Sequence, residues 1–126
     1  MNDVKSIIQE NNTVLVKMLD QCVAEIKEAS DLSILAIKNG NKIIWCGNGG
    51  SAADAQHMAA ELMGGLVSHD REPIPSIALT TDTSFITAWA NDTGYETIFS
   101  RQIDGLGNAG DILIAISTSG NSVNVL

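Results

Sequence analysis

Basic residues are scarce. Seven Lys and Arg against 15 Asp and Glu give a formal net charge of −8 and a pI near 4.4. That deficit argues against nucleic acid or an anionic membrane as a partner, since both are gripped by clusters of positive charge. It leaves an anionic small molecule open, because local backbone N–H groups can seat phosphate in an acidic protein. Cysteine is nearly absent as well. Cys22 and Cys46 sit in apolar patterns with no Cys-x-x-Cys spacing, as free thiols in a reducing compartment would. No apolar run approaches the roughly 18 residues that span a bilayer, and the polar, acidic start has no apolar signal core. The expectation is a soluble, cytoplasmic chain. Also missing are the Gly-Lys-Ser/Thr of a P-loop and the Gly-x-Gly-x-x-Gly of a dinucleotide fold, which turns the reading away from nucleotides.

What the chain does have is 44% hydrophobic residues in a length of 126, enough for one domain with its own core. Residues 3 to 28 read as one long amphipathic helix. Val4, Ile8, Asn11, Leu15, Met18 and Cys22 alternate steps of four and three, a coiled-coil-like seam that Ile7, Leu19 and Ile26 widen. A second helix is expected from about Asp31 to Lys38, capped by Ser30 and closed by Asn39-Gly40. We take 1–40 as N-terminal helices for packing or oligomerisation, against another subunit or back over the chain's own sheet.

From Lys42 the pattern changes. Ile43 to Cys46 is too short for a helix and is flanked by Asn and Gly, so it reads as a buried strand. Gly47-Asn48-Gly49-Gly50 follows as a turn, with Ser51 and Asp54 as a capping box for the next helix. The positive end of that helix makes the turn a seat for an anion. Asp54, His57 and Glu61 line one helix face; His57 and Glu61, four apart, suit a shared metal ion, a bracketed substrate atom or a plain solvated face. Gly64-Gly65 ends this helix, and a polar loop from Ser68 to Pro75, with a solvated His69, leads to a second strand, Ser76 to Leu79. Thr80 to Ser84 supplies caps for a short helix over Phe85 to Ala90, and Asn91-Asp92-Thr93-Gly94 reads as a turn, either plain turn chemistry or a contact to a ligand. After a weak helix from Ile98 to Leu106, Asp111 to Ile116 is an apolar run suited to a parallel strand buried on both faces.

That third strand delivers Ser117-Thr118-Ser119-Gly120-Asn121-Ser122. Four hydroxyls and a glycine where a strand meets a helix form a nest for phosphate oxygens, although a Ser/Thr-rich cap would look similar. Three β-then-α units imply a parallel sheet, whose ligands gather at the carboxyl ends of the strands. All three polar turns fall there, so one shared site is expected. The chain stops one turn into the helix that strand three should feed; the expectation is an α/β domain, 41–126, that is incomplete without residues after Leu126.

Taken together, Cys46 to His57, Ala60-Glu61-Leu62, Asn91-Asp92, Phe99 to Gln102 and Ile116 to Ser122 resemble the sugar isomerase (SIS) domain, and within it the phosphoheptose isomerases. The resemblance implies a three-layer α/β/α parallel sheet, flavodoxin-like or Rossmann-like, and an aldose–ketose isomerase. Its substrate would be sedoheptulose 7-phosphate, the first step towards the activated heptoses of lipopolysaccharide. Ser117, Thr118, Ser119 and Ser122 would hold the phosphate; Asn48, Gly49, Gly50, Asn91 and Asp92 would touch the sugar. His57 and Glu61 would bind zinc, with the remaining ligands and a second acid/base expected after Leu126, and Glu61 would also be the catalytic acid/base. The resemblance further implies a homotetramer with sites between subunits. A non-catalytic relative that associates with the bacterial replication initiator is the rival, but it lacks a glutamate at the position of Glu61. A phosphosugar-sensing regulatory domain is the third class.

Overall fold

The computed structural model describes residues 3–126. By its internal contacts the chain divides into two units, one running to Ile34 and the other from Leu35 to Leu126. The first holds helix α1 (Val4–Gln21) and most of α2 (Val23–Lys38), and none of the residues of α1 is buried. Seam residues such as Val4, Ile8 and Leu15 stand exposed.

The helix boundary differs from expectation. The irregularity falls at Cys22, where φ is −121° and ψ −4°, while Ser30 lies inside α2. Ser30 Oγ donates to the Ile26 carbonyl at 2.8 Å, so its hydroxyl is spent within the helix instead of capping a new one. The Lys27–Asp31 ion pair spans the expected break. The end at Lys38 is as read: Gly40 N–H donates to Ile37 O and Asn41 N–H to Ala36 O, each at 3.0 Å, the pairing of a Schellman stop.

In the second unit the strands β1 (Ile43–Gly47), β2 (Ser76–Ala78) and β3 (Ile112–Ile116) form one parallel sheet in the order β2-β1-β3. Between them run α3 (Gly50–Gly64), α4 (Thr83–Asp92), a 3-10 turn at Tyr95–Thr97, and α5 (Ile98–Leu106). β1 is central and wholly buried, and its alternating side chains feed two cores. Ile43 and Trp45 pack with Ala55 and Ala59 of α3; Ile44 and Cys46 pack with Leu79 and with Ile98 and Phe99 of α5. Helices therefore cover the sheet on both sides, the three layers expected. The apolar run of β3 is half-buried on one face, through Ile112, Ile114 and Ile116, and open on the other, where Leu113 is 44% exposed, so the expectation of burial on both faces fails for this strand. β2 is likewise an edge, with Ile77 at 37%.

Side-chain hydrogen bonds fix this arrangement between layers and within the sheet. Gln102, buried at 9% exposure, donates from Nε2 to Leu79 O and Ile98 O, both at 2.9 Å, which anchors α5 to the end of β2. Trp45 Nε1 donates to Ser76 Oγ at 2.8 Å across the β1–β2 pair. Burial pushes the Cys46 thiol up from its ordinary pKa, so it stays protonated and unreactive in the folded protein. Maleimide should therefore modify Cys46 only once denaturant unfolds the domain, as peptide mapping will show; rapid labelling of the native protein at Cys46 would contradict this packing. Among the described residues no helix is long and apolar enough to cross a membrane.

Candidate functional site

The carboxyl edge of the sheet gathers three loops. β1 ends at Gly47, and a Cβ there would lie 2.8 Å from Ser51 O, so only glycine lets the strand end approach the first turn of α3 this closely. Gly49 has φ +57°, the left-handed region that glycine enters without strain. It also stands at the N-cap of α3, which begins at Gly50 with no side-chain cap. The expected Ser51–Asp54 capping box is therefore corrected: the tight glycine turn starts the helix early, Ser51 lies inside its first turn, and Asp54 is exposed. The N–H groups of Ser51, Ala52 and Ala53 already donate to Asn48 O and Gly49 O at 3.0–3.3 Å, so the expected anion seat on these first-turn donors is corrected: they are spent within the turn itself.

A cleft of about 240 Å³ opens beside it, lined by Asn48 and Gly49, by Thr80 and Thr83 after β2, and by Tyr95 and Phe99 among others. Asp82 caps α4 as expected of this polar stretch, accepting from Phe85 N–H at 2.9 Å, although α4 begins at Thr83 rather than Phe85. Gln56 Nε2 donates to Thr80 Oγ1 at 3.1 Å and so holds the loop after β2 against α3.

The third loop follows β3. Ser117 Oγ lies 3.2 Å from Ser122 Oγ and 3.4 Å from Ser119 Oγ, and accepts from Gly120 N–H at 3.1 Å. Ser119 Oγ accepts from Asn121 N–H at 3.1 Å. Three hydroxyls thus converge in one turn, with Thr118 exposed beside them. The Gly120 and Asn121 N–H groups are spent on these serine oxygens, so what the turn offers a ligand is its cluster of hydroxyls. The loop is tied to the glycine turn by a reciprocal pair: Asn48 Nδ2 donates to Asn124 Oδ1 at 2.8 Å, and Asn124 Nδ2 donates to Asn48 Oδ1 at 2.9 Å. Tyr95 Oη also donates to Asn48 Oδ1 at 3.0 Å.

The remaining predicted residues stand apart. Asn91 and Asp92 are the exposed last residues of α4 rather than a turn; Asn91 Nδ2 donates to Asp92 Oδ1 at 2.8 Å, and neither lines the cleft. His57 and Glu61 share one face of α3, with Nε2 and Oε1 3.2 Å apart and side-chain exposures of 69% and 30%. At a rise of about 1.5 Å per residue, Glu61 lies roughly 16 Å along the helix from Gly50. Two donors on one tetrahedral zinc, each about 2.05 Å away, are about 3.3 Å apart. The pair therefore fits two positions around a single ion, but among the described residues no third His, Cys, Asp or Glu joins it. His69 is exposed, with Nδ1 3.3 Å from Gly64 O.

Three residues of this neighbourhood escaped the sequence reading. Asn124 lies just past the Ser/Thr cluster, between two valines, and Tyr95 is the single tyrosine of the chain. Arg71 sits in the polar loop, where charge looks like solubility. Its Nη2 instead donates to Glu61 O at 2.7 Å and Leu62 O at 2.8 Å, closing the last turn of α3 beneath Glu61.

Comparison with known proteins shows the family and the fold. Residues 8–126 match the family described as the SIS domain. The chain is 50% identical to the phosphoheptose isomerase of Aliarcobacter butzleri over 123 residues, which is 98% of this chain and 64% of that protein. It is 48% identical to the phosphoheptose isomerase of Aquifex aeolicus over 126 residues, 100% of this chain and 65% of the relative. It thus spans a little under two thirds of these relatives. The solved phosphoheptose isomerase of Neisseria gonorrhoeae superposes with a TM-score of 0.88 at 45% identity, covering 97% of this chain and 62% of that one.

Proposed function

The chain belongs to the SIS-domain family, and from that premise we propose that it forms the sugar-phosphate site of a phosphoheptose isomerase. The reaction would interconvert sedoheptulose 7-phosphate and the corresponding aldoheptose 7-phosphate. One observation carries the reading: the hydroxyl nest of Ser117, Ser119 and Ser122 is tied through Asn124 to Asn48 in the glycine turn. Phosphate and sugar thereby acquire adjacent seats at one sheet edge.

In this reading Ser117, Thr118, Ser119 and Ser122 hold the phosphate, while Asn48, Gly49 and Gly50 lie against the sugar. Glu61 takes the proton from C1 of the ketose, O2 gains a proton, and an enediol forms. Loss of the O1 proton and delivery of a proton to C2 complete the aldose, so the atoms balance with no redox partner. Without a bound ion, His57 Nε2, 3.2 Å from Glu61 Oε1, orients that carboxylate. His57 and Glu61 would hold a divalent ion, zinc in this proposal, with further donors from outside these 126 residues. The chemistry a bound ion supplies here is polarisation of the substrate carbonyl.

Glu61, Asn91 and Asp92 stand away from the cleft, which supports sites completed between copies in a homotetramer. The exposed apolar stripe of α1 offers a surface for such assembly. The setting would be the cytoplasm, and the product would enter heptose activation for a surface polysaccharide. The native polypeptide containing these residues, supplied with zinc and sedoheptulose 7-phosphate, should yield the aldoheptose phosphate by NMR. Absence of both conversion and binding overturns the proposal.

A further inference from the structure

We infer that Asn124 and Tyr95 are positioning residues that lock the Asn48 carboxamide so that it can only donate a hydrogen bond to the ligand. The inference rests on the sugar-phosphate reading above and adds to it the polarity of one contact. A carboxamide has two acceptor lone pairs on oxygen and two donor hydrogens on nitrogen. Both lone pairs of Asn48 Oδ1 are engaged, by Tyr95 Oη at 3.0 Å and Asn124 Nδ2 at 2.9 Å. One hydrogen of Asn48 Nδ2 goes to Asn124 Oδ1 at 2.8 Å. What remains for the cleft that Asn48 lines is a single N–H. That group selects an oxygen acceptor, whether carbonyl, hydroxyl or phosphoryl, and offers nothing to a ligand donor.

The same three side chains join three loops. Asn48 follows β1, Tyr95 follows α4, and Asn124 lies two residues past Ser122, whose carbonyl accepts from Val125 N–H at 2.9 Å. A donor held by two partners is already oriented when ligand arrives, so less ordering entropy opposes binding.

The test is a double-mutant cycle read by sedoheptulose 7-phosphate affinity on the native polypeptide. Asn48→Ala and Asn124→Ala should each weaken binding by about tenfold, and the double variant should be no weaker than Asn48→Ala alone. Asn124→Asp keeps the shape but removes the donor, so it should reproduce the loss seen with Asn124→Ala while the thermal midpoint stays put. Tyr95→Phe should weaken binding by a smaller factor. Losses that multiply, or an Asn124→Asp variant with unchanged affinity, overturn the inference. Failure of the unmodified protein to bind any sugar phosphate would sink the functional reading instead. The network is then judged in ligand-free protein by the Asn48 side-chain NH2 signals. One proton, that donated to Asn124 Oδ1, should be protected from exchange, and protection that survives in Asn124→Ala, which removes this acceptor, overturns it.

Discussion

Replacing Glu61 by Gln should lower turnover by about 10²–10⁴-fold, the usual weight of a positioned general base, and leave the folded state intact. The asymmetry follows from where the carboxylate sits. Its side chain is 30% exposed and His57, with which it pairs, is 69% exposed, so no buried charge is stranded by the change. A Gln side chain has the same shape and still meets the imidazole. The turn beneath it is held through backbone, by Arg71 on Glu61 O and Leu62 O, and that anchor ignores the substitution. Stability should therefore move by no more than about 0.5 kcal/mol, as at other surface sites. Kinetics of the native polypeptide beside a thermal melt separate the two effects. Turnover equal to that of the parent would remove Glu61 from the mechanism.

The largest effect on folding should come from Asp111→Ala, at about 2–4 kcal/mol. Asp111 joins the start of β3 to the start of β1, at the sheet edge opposite the cleft. Its side chain is 6% exposed and accepts from Lys42 Nζ at 2.6 Å, Lys42 N–H at 2.9 Å and Asn108 N–H at 2.7 Å. The Lys42 ammonium above all, helped by these N–H groups and opposed by burial, holds the carboxyl far below the usual carboxylate range. Because the folded pKa lies below that of an unfolded Asp, about 3.9, the contribution is fully present above that value. It is lost as pH falls from there towards the folded pKa. Denaturant unfolding should show a wide gap between parent and variant at pH 7 that narrows at pH 3. A gap that is absent at pH 7, or that does not change with pH, would refute this account.

The glycine turn, the Ser117–Ser122 nest and the three strands were legible because each is local: a few residues with special conformational or hydrogen-bonding properties lie side by side in the chain. The helix ends were less so. Ser30 and the Ser51–Asp54 pair carry good capping chemistry, yet a helix already under way absorbed the first and an uncapped glycine start displaced the second. Arg71 was invisible because its partners are backbone carbonyls nine and ten residues earlier, which leave no side-chain signature. Asn124 pairs with a residue 76 positions away.

By itself, then, the sequence determined the parallel α/β architecture and the hydroxyl cluster after the third strand, since periodicity and turn chemistry act over a few residues. Only the tertiary structure decided that the Asn48 turn and the serine loop are neighbours and that Tyr95 and Asn124 engage the Asn48 carboxamide. Those outcomes depend on which loops the β2-β1-β3 strand order makes neighbours, and hydrogen bonds over that range form only when the sheet has closed.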